Sequence, residues 1–295
     1  MKSTDRHIPL CVGLGEVLFD VGPSGKRLGG APANFAYVCR ALGMKAAVVS
    51  AVGDDELGRQ AERELAHKAL PAILPRVAKE TGHVDVAFHD GGIPSYHFSK
   101  APAYEHIPYT ADMKRLAGEA DICSFGTLAQ RGTETAETVR QFLQDMREET
   151  IRIFDVNLRD GFADPSVIDR SLSLATAVKC NEEELPLLCR LAGISHPDSS
   201  AYWSYLKGRG ISCFLYTEGE KKSTIWLHDR CSVVPSPAID AVDTVGAGDS
   251  FAAAFSSALF MGASLEEAHQ KAVTVSAFLC TMAGGMPDFP ETLRL

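Results

Sequence analysis

The chain of 295 residues carries 45% apolar and 23% charged residues with a formal net charge of −9, the balance of a globular protein able to bury a substantial core. No apolar run approaches the roughly 18 residues of a membrane span, and Lys and Arg form no long block, which points away from a membrane protein and from nucleic acid as the main partner. The polar start from Met1 to Pro9 lacks the apolar stretch of a signal peptide, so a cytoplasmic chain is expected. Eight cysteines without a CxxC pair read as reduced core thiols, and nine histidines without ligand spacing suggest no transition-metal site.

In chain order, Ile8 to Leu14 predicts a buried first strand, and Val21 to Gly30 a loop or small hairpin. Pro32 opens a helix that runs to Leu42 and stops at Gly43. Ala46 to Val52 reads as a strand, and the next helix, introduced by Gly53-Asp54-Asp55-Glu56-Leu57-Gly58, is closed by Pro71. Val84, Val86 and Phe88 then alternate with polar or small neighbours, and a second extended piece holds Tyr96 and Phe98. That pattern predicts a hairpin wet on one face, out of place inside a sheet covered on both sides. Strand–helix alternation resumes with strands at Asp121 to Phe125 and Ile151 to Asp155 around a helix from about Thr133 to Glu149. Helices near Pro165 to Leu174, Asn181 to Leu191 and Ser200 to Lys207 follow, with strands at Ala177 to Cys180 and Cys213 to Thr217. Ser223 to Leu227 and Cys231 to Val234 look like an antiparallel edge pair. Two long helices end the chain, the second with a Ser264/Glu267 capping box and a stop at Gly284-Gly285. One α/β domain results, spanning 1–295, with a small inserted β lid from about 16–30 and 84–101.

The most informative stretch is Asp243-Thr244-Val245-Gly246-Ala247-Gly248-Asp249-Ser250-Phe251. Its glycines, placed just before an apolar helix, describe a turn in which unpaired N–H groups and the helix dipole attract an anion. Asp249 has two readings: an acidic first-turn residue favoured by the dipole, or a general base that takes a hydroxyl proton beside a bound phosphoryl group. Other residues carry similar pairs of readings. Gly29, Gly30 and Asn34 open a helix and either shape its start or hydrogen-bond a ligand; Asp20 is a turn residue or an acceptor. Tyr96 and Phe98 pack the hairpin or cover a ligand face, and Arg159 is a surface ion-pair partner or a counter-charge.

The string DTVGAGDSF resembles the C-terminal signature of the ribokinase-like (PfkB) carbohydrate kinases, and Leu28-Gly29-Gly30-Ala31-Pro32-Ala33-Asn34 is similar to their N-terminal Gly-Gly signature. Gly13-Leu14-Gly15-Glu16-Val17-Leu18-Phe19-Asp20 resembles the opening of the bacterial fructokinase branch. The resemblance implies a ribokinase-like three-layer sandwich with a central, mostly parallel sheet and a small β-sheet lid over a sugar. It further implies an ATP-dependent sugar kinase, fructose leading, with 2-keto-3-deoxygluconate kinase or ribokinase as alternatives and a non-catalytic sugar sensor as the rival of another class. By the same resemblance, Asp249 is the base and Gly246, Ala247 and Gly248 the anion hole, with Arg159 assisting. Asp20, Gly29, Gly30, Asn34, Tyr96, Phe98 and Asn157 face the sugar, and Asn181, Thr217, Gly219, Thr244, Gly246 and Gly248 face the nucleotide. Glu184, in an NxxE pattern with Asn181, organises magnesium through water. In many members the residue matching Asp243 serves a monovalent cation, usually potassium, and two copies pair through the lid. A dinucleotide oxidoreductase is disfavoured, since Gly13-Leu14-Gly15-Glu16-Val17-Leu18 lacks the third glycine of GxGxxG.

Overall fold

The computed structural model describes residues 7–22, 25–88, 94–158 and 164–295, with 86–88 and 94–96 described by backbone alone. The chain starts with β1 (Leu10–Leu14), the hairpin β2 (Leu18–Gly22) and β3 (Gly25–Gly29), then α1 (Ala31–Ala41) and β4 (Lys45–Val49). Next come β5 (Val52–Gly53), α2 (Glu56–His67), β6 (Ala72–Ile73), β7 (Arg76–Val77), β8 (Gly82–Phe88) and β9 (Pro94–Phe98). The middle holds α3 (Ala111–Glu119), β10 (Ile122–Gly126), α4 (Thr133–Asp145), β11 (Ile151–Asp155), α5 (Pro165–Leu174), β12 (Ala177–Asn181), α6 (Leu185–Leu191) and α7 (Ser199–Gly208). The last part is β13 (Cys213–Glu218), β14 (Lys222–Leu227), β15 (Arg230–Pro235), α8 (Ala247–Phe260) and α9 (Leu265–Cys280).

Among the described residues a 9-stranded sheet has the order β15-β14-β13-β12-β11-β10-β1-β4-β6. Every pair from β13 to β6 is parallel, and only β13-β14 and β14-β15 are antiparallel. Such strands are buried on both faces, and alternate side chains enter opposite cores. Thus Cys11, Ile122, Ile153, Ala177 and Cys213 join α1, α2, α8 and α9 on one side. Val12, Cys123, Phe154, Val178 and Phe214 join α3 through α7 on the other. The result is a three-layer sandwich. A separate 4-stranded sheet, β3-β2-β8-β9, is assembled from the two hairpins through a parallel β2–β8 pairing. Its root is fastened by Asp55: Oδ1 accepts from the Gly58 N–H at 2.7 Å and from Thr81 Oγ1 at 2.7 Å, and Oδ2 accepts from the Thr81 N–H at 2.8 Å.

Several expected boundaries move. The first strand begins at Leu10 rather than Ile8, and α4 ends at Asp145 rather than Glu149, where Met146 turns extended. α6 starts at Leu185 rather than Asn181, because Asn181 is still paired with Thr217 in the sheet and its side chain caps the Glu183 and Glu184 N–H groups instead. α9 stops at Cys280, ahead of Gly284, because the N–H groups of Val242 and Asp243 take its last carbonyl. The short strands β5, β6 and β7 were not expected. All eight cysteines are free; Cys231 is exposed in an edge strand, so it is not the core thiol the composition suggested. Among the described residues, no helix is long and apolar enough to cross a membrane.

Candidate active site

Parallel strands deliver their C-terminal ends to one edge of the sheet, where open α/β proteins bind ligands. The start of α8 stands there. Gly246, its N-cap, has φ 79°, and a Cβ on it would lie 2.9 Å from Gly285 Cα and 3.4 Å from Asn34 Nδ2. Only glycine allows that left-handed turn and that close approach. The Ala247 N–H donates to the Thr244 carbonyl at 3.2 Å, so this donor, expected in the anion hole, is engaged within the turn. The first helical bond runs from the Ser250 N–H to the Gly246 carbonyl at 2.8 Å, and the N–H groups before it have no partner inside the helix.

Asp249 follows immediately, 9% exposed, with Oδ2 accepting from Asn34 Nδ2 at 2.8 Å. Asn34 reaches it from the first turn of α1, whose N-cap is Gly30 with φ 111°. A Cβ on Gly30 would fall 2.2 Å from the Glu16 carbonyl oxygen, so the path from β3 into α1 requires glycine. Asn34 is 3% exposed and its Oδ1 has no hydrogen-bond partner; that oxygen lies 2.5 Å from where a Cβ on Gly285 would be, so a buried acceptor is left over at the start of α8. Asp20 lies on β2 directly opposite Arg27, and its Oδ2 is 3.4 Å from where a Gly29 Cβ would be. Four of the expected sugar-side residues, Asp20, Gly29, Gly30 and Asn34, thus gather around β2, β3 and the start of α1.

Lys179 on β12 has no counterpart in the sequence reading. Its Nζ is 3.1 Å from Asp155 Oδ1, and it would lie 2.4 Å from a Cβ on Gly248, directly under the turn. Burial alone would depress its pKa, but Asp155, Glu184 and Asp249 outweigh that and raise it, so the ammonium stays charged. Its sequence signal was a charge inside an apolar strand, Ala177-Val178-Lys179-Cys180. Glu184 Oε1 accepts from the Leu158 N–H at 2.9 Å, and Oε2 accepts from the Asn181 N–H at 2.9 Å. Burial pushes its pKa up, partly countered by Lys179. Asn157, with φ 38°, holds a strained left-handed turn beside it.

Asn181 and Thr217 are neighbours at the ends of β12 and β13, and Gly219 follows with φ 51°. Thr244 is exposed in the loop before α8. Asp243 Oδ1 accepts from the Val245 N–H at 3.0 Å and Oδ2 from the Gly284 N–H at 2.9 Å; Arg27 Nη1 stands 3.6 Å from Oδ2. Phe98 packs with Leu18, Val84, Tyr104, Leu128 and Ala129 at the base of the small sheet. Arg159 and the Tyr96 side chain lie outside the described residues.

A sandwich of this order, with a glycine turn and a carboxylate at a helix start over the C-terminal edge of the sheet, defines a three-layer α/β protein. The family described as pfkB family carbohydrate kinase matches residues 10–292, and the chain belongs to it. It is therefore a sugar phosphotransferase. Fructokinase of Klebsiella pneumoniae is 30% identical over 258 residues, covering 81% of each chain. Fructokinase-1 of Oryza sativa subsp. japonica is 26% identical over 317 residues, covering 97% of each. In fold, the chain resembles a Xylella fastidiosa fructokinase crystallised with bound ATP, with TM-score 0.85, 22% identity, and coverage of 96% of this chain and 97% of that one.

Proposed function

We propose that the protein transfers the γ-phosphate of ATP to a primary hydroxyl of a sugar, fructose first among acceptors, with Asp249 as the base. One observation carries this reading: the Asp249 carboxylate stands at the open start of α8, fixed by Asn34 at 2.8 Å, where the helix donors and the buried Lys179 charge meet. Asp249 takes the hydroxyl proton as the oxygen attacks in line. The Gly246 and Gly248 N–H groups and the helix dipole hold the phosphoryl oxygens. Asp20, the main chain at Gly29 and Gly30, and Asn34 Oδ1 orient the sugar hydroxyls, and Asn157 closes the strand-end side. The small sheet acts as a lid, with Phe98 at its base. Asn181, Thr217, Gly219 and Thr244 line the nucleotide side.

Magnesium fits this donor set through water, since each Glu184 oxygen already accepts one N–H and keeps a lone pair for a hydrated ion. When bound, it offsets charge on the phosphate oxygens. At Asp243 the Arg27 guanidinium already stands 3.6 Å from Oδ2 and competes with a potassium ion, so no role is assigned to that ion. A coupled assay of ADP release with ATP, magnesium and a panel of fructose, ribose and 2-keto-3-deoxygluconate tests the reading, and absence of sugar-dependent ADP release refutes it. Asp249→Asn should lower kcat by about 10²–10⁴-fold with sugar binding retained; near-normal turnover would remove Asp249 from the base role.

A further inference from the structure

Arg27 belongs to the small sheet, yet its side chain ends on the body. β2 and β3 pair Asp20 with Arg27, and residues directly opposite in a sheet project to the same face. Gly29, two positions on, shares that face, and the site of its missing Cβ lies 3.4 Å from Asp20 Oδ2. Arg27 therefore leaves the strand next to the acceptor carboxylate. From there its Cδ runs 3.8 Å from the Cβ position of Gly284, and Nη1 reaches within 3.6 Å of Asp243 Oδ2.

Asp243 is the hub on the body side. Its two oxygens hold the Val245 N–H, one residue ahead of the Gly246 turn, and the Gly284 N–H, one residue ahead of the Gly285 that packs against Gly246 and Asn34. Whatever orients the Asp243 carboxylate sets both walls of the turn. The Arg27 and Asp243 side chains are 51% and 22% exposed and make a loose pair, which contributes little to stability as it stands.

We propose that Arg27 is a positioning residue through which an acceptor sugar seated on Asp20 orders the phosphate-binding turn. Sugar ordering β2 and β3 brings the guanidinium onto Asp243, which fixes the Val245 and Gly284 backbones around Gly246. By thermodynamic reciprocity, nucleotide then tightens the sugar to the same extent. This proposal rests on the kinase reading above.

The test is calorimetric titration of magnesium with the non-hydrolysable analogue AMP-PNP, with and without the best acceptor of the sugar panel, which is fructose on the present reading. In wild type the sugar lowers the nucleotide Kd. In Arg27→Gln the Kd without sugar stays within about twofold, while the sugar-induced tightening shrinks by about two- to fivefold. Arg27→Lys restores part of it. Undiminished tightening in Arg27→Gln overturns the proposal, as does a wild type that turns over the sugar without any tightening. Failure of the kinase reading shows separately, as absent turnover across the whole panel.

Discussion

A lysine ammonium sealed away from water is costly unless carboxylates surround it, and a buried ion pair of this kind often contributes nothing net to folding. Lys179 meets three carboxylates, Asp155, Glu184 and Asp249, under the one glycine whose missing Cβ gives it room. We read it as positive charge held beneath the anion turn. Lys179→Met should cost about 3–5 kcal/mol of stability by stranding Asp155. Pairing it with Asp155→Leu should recover most of that loss while kcat stays at least about tenfold down. Wild-type turnover in the double variant would reduce the pair to scaffolding. Part of this site was legible in the sequence and part was not. The glycine turn and Asp249 are consecutive, so local sequence displayed them together. Lys179, Asp155 and Arg27 reach the site only through strand pairing and a side chain crossing from one sheet to the body, and no local pattern encodes such meetings.

At the level of elements, local chemistry fixed a boundary where the signal for it is local. Ile151–Asp155 and Pro165–Leu174 fall where apolar content and an N-terminal proline place them, and the Ser264/Glu267 capping box forms with both bonds present. The end of α9 escaped because its last carbonyl is taken by the Val242 and Asp243 N–H groups, a stop signal that lies far away in sequence. Both segments read as parts of one small β lid, but the parallel register of β2 on β8 is not written locally, for the same reason. α9 also docks on the antiparallel edge through His269, which bridges Ser223 at 2.8 Å and Ser232 at 2.9 Å. Burial pushes its pKa down to about 4, below the roughly 6.5 of an unfolded chain. Between those values the unfolded state binds more protons, so stability rises with pH. This contribution is complete above about pH 6.5 and is lost as pH falls toward about 4. Urea unfolding should show wild type losing about 2 kcal/mol more than His269→Gln between pH 7 and pH 5. Equal losses in the two proteins would mean the imidazole is not kept neutral by its setting.

For the whole molecule, the candidate site draws on residues from Asp20 to Gly285 and on the two larger of the three sheets among the described residues, so it exists only when the entire sandwich is folded. A ligand that binds there therefore stabilises the global fold by mass action. Magnesium with AMP-PNP at a hundred times its Kd should add about 2.7 kcal/mol. In differential scanning fluorimetry this corresponds to a rise of about 5 °C, at roughly 2 °C per kcal/mol for a chain of this size. No shift at that concentration would place nucleotide binding elsewhere or nowhere.

The parallel run of the sheet has a further implication at its opposite pole. The candidate site lies where the parallel strands finish, and the tip of the β14–β15 hairpin, at the exposed His228 and Asp229, lies at the other end of the sheet. That pole is where a reporter peptide or an affinity tag could be spliced into the loop with the candidate site undisturbed.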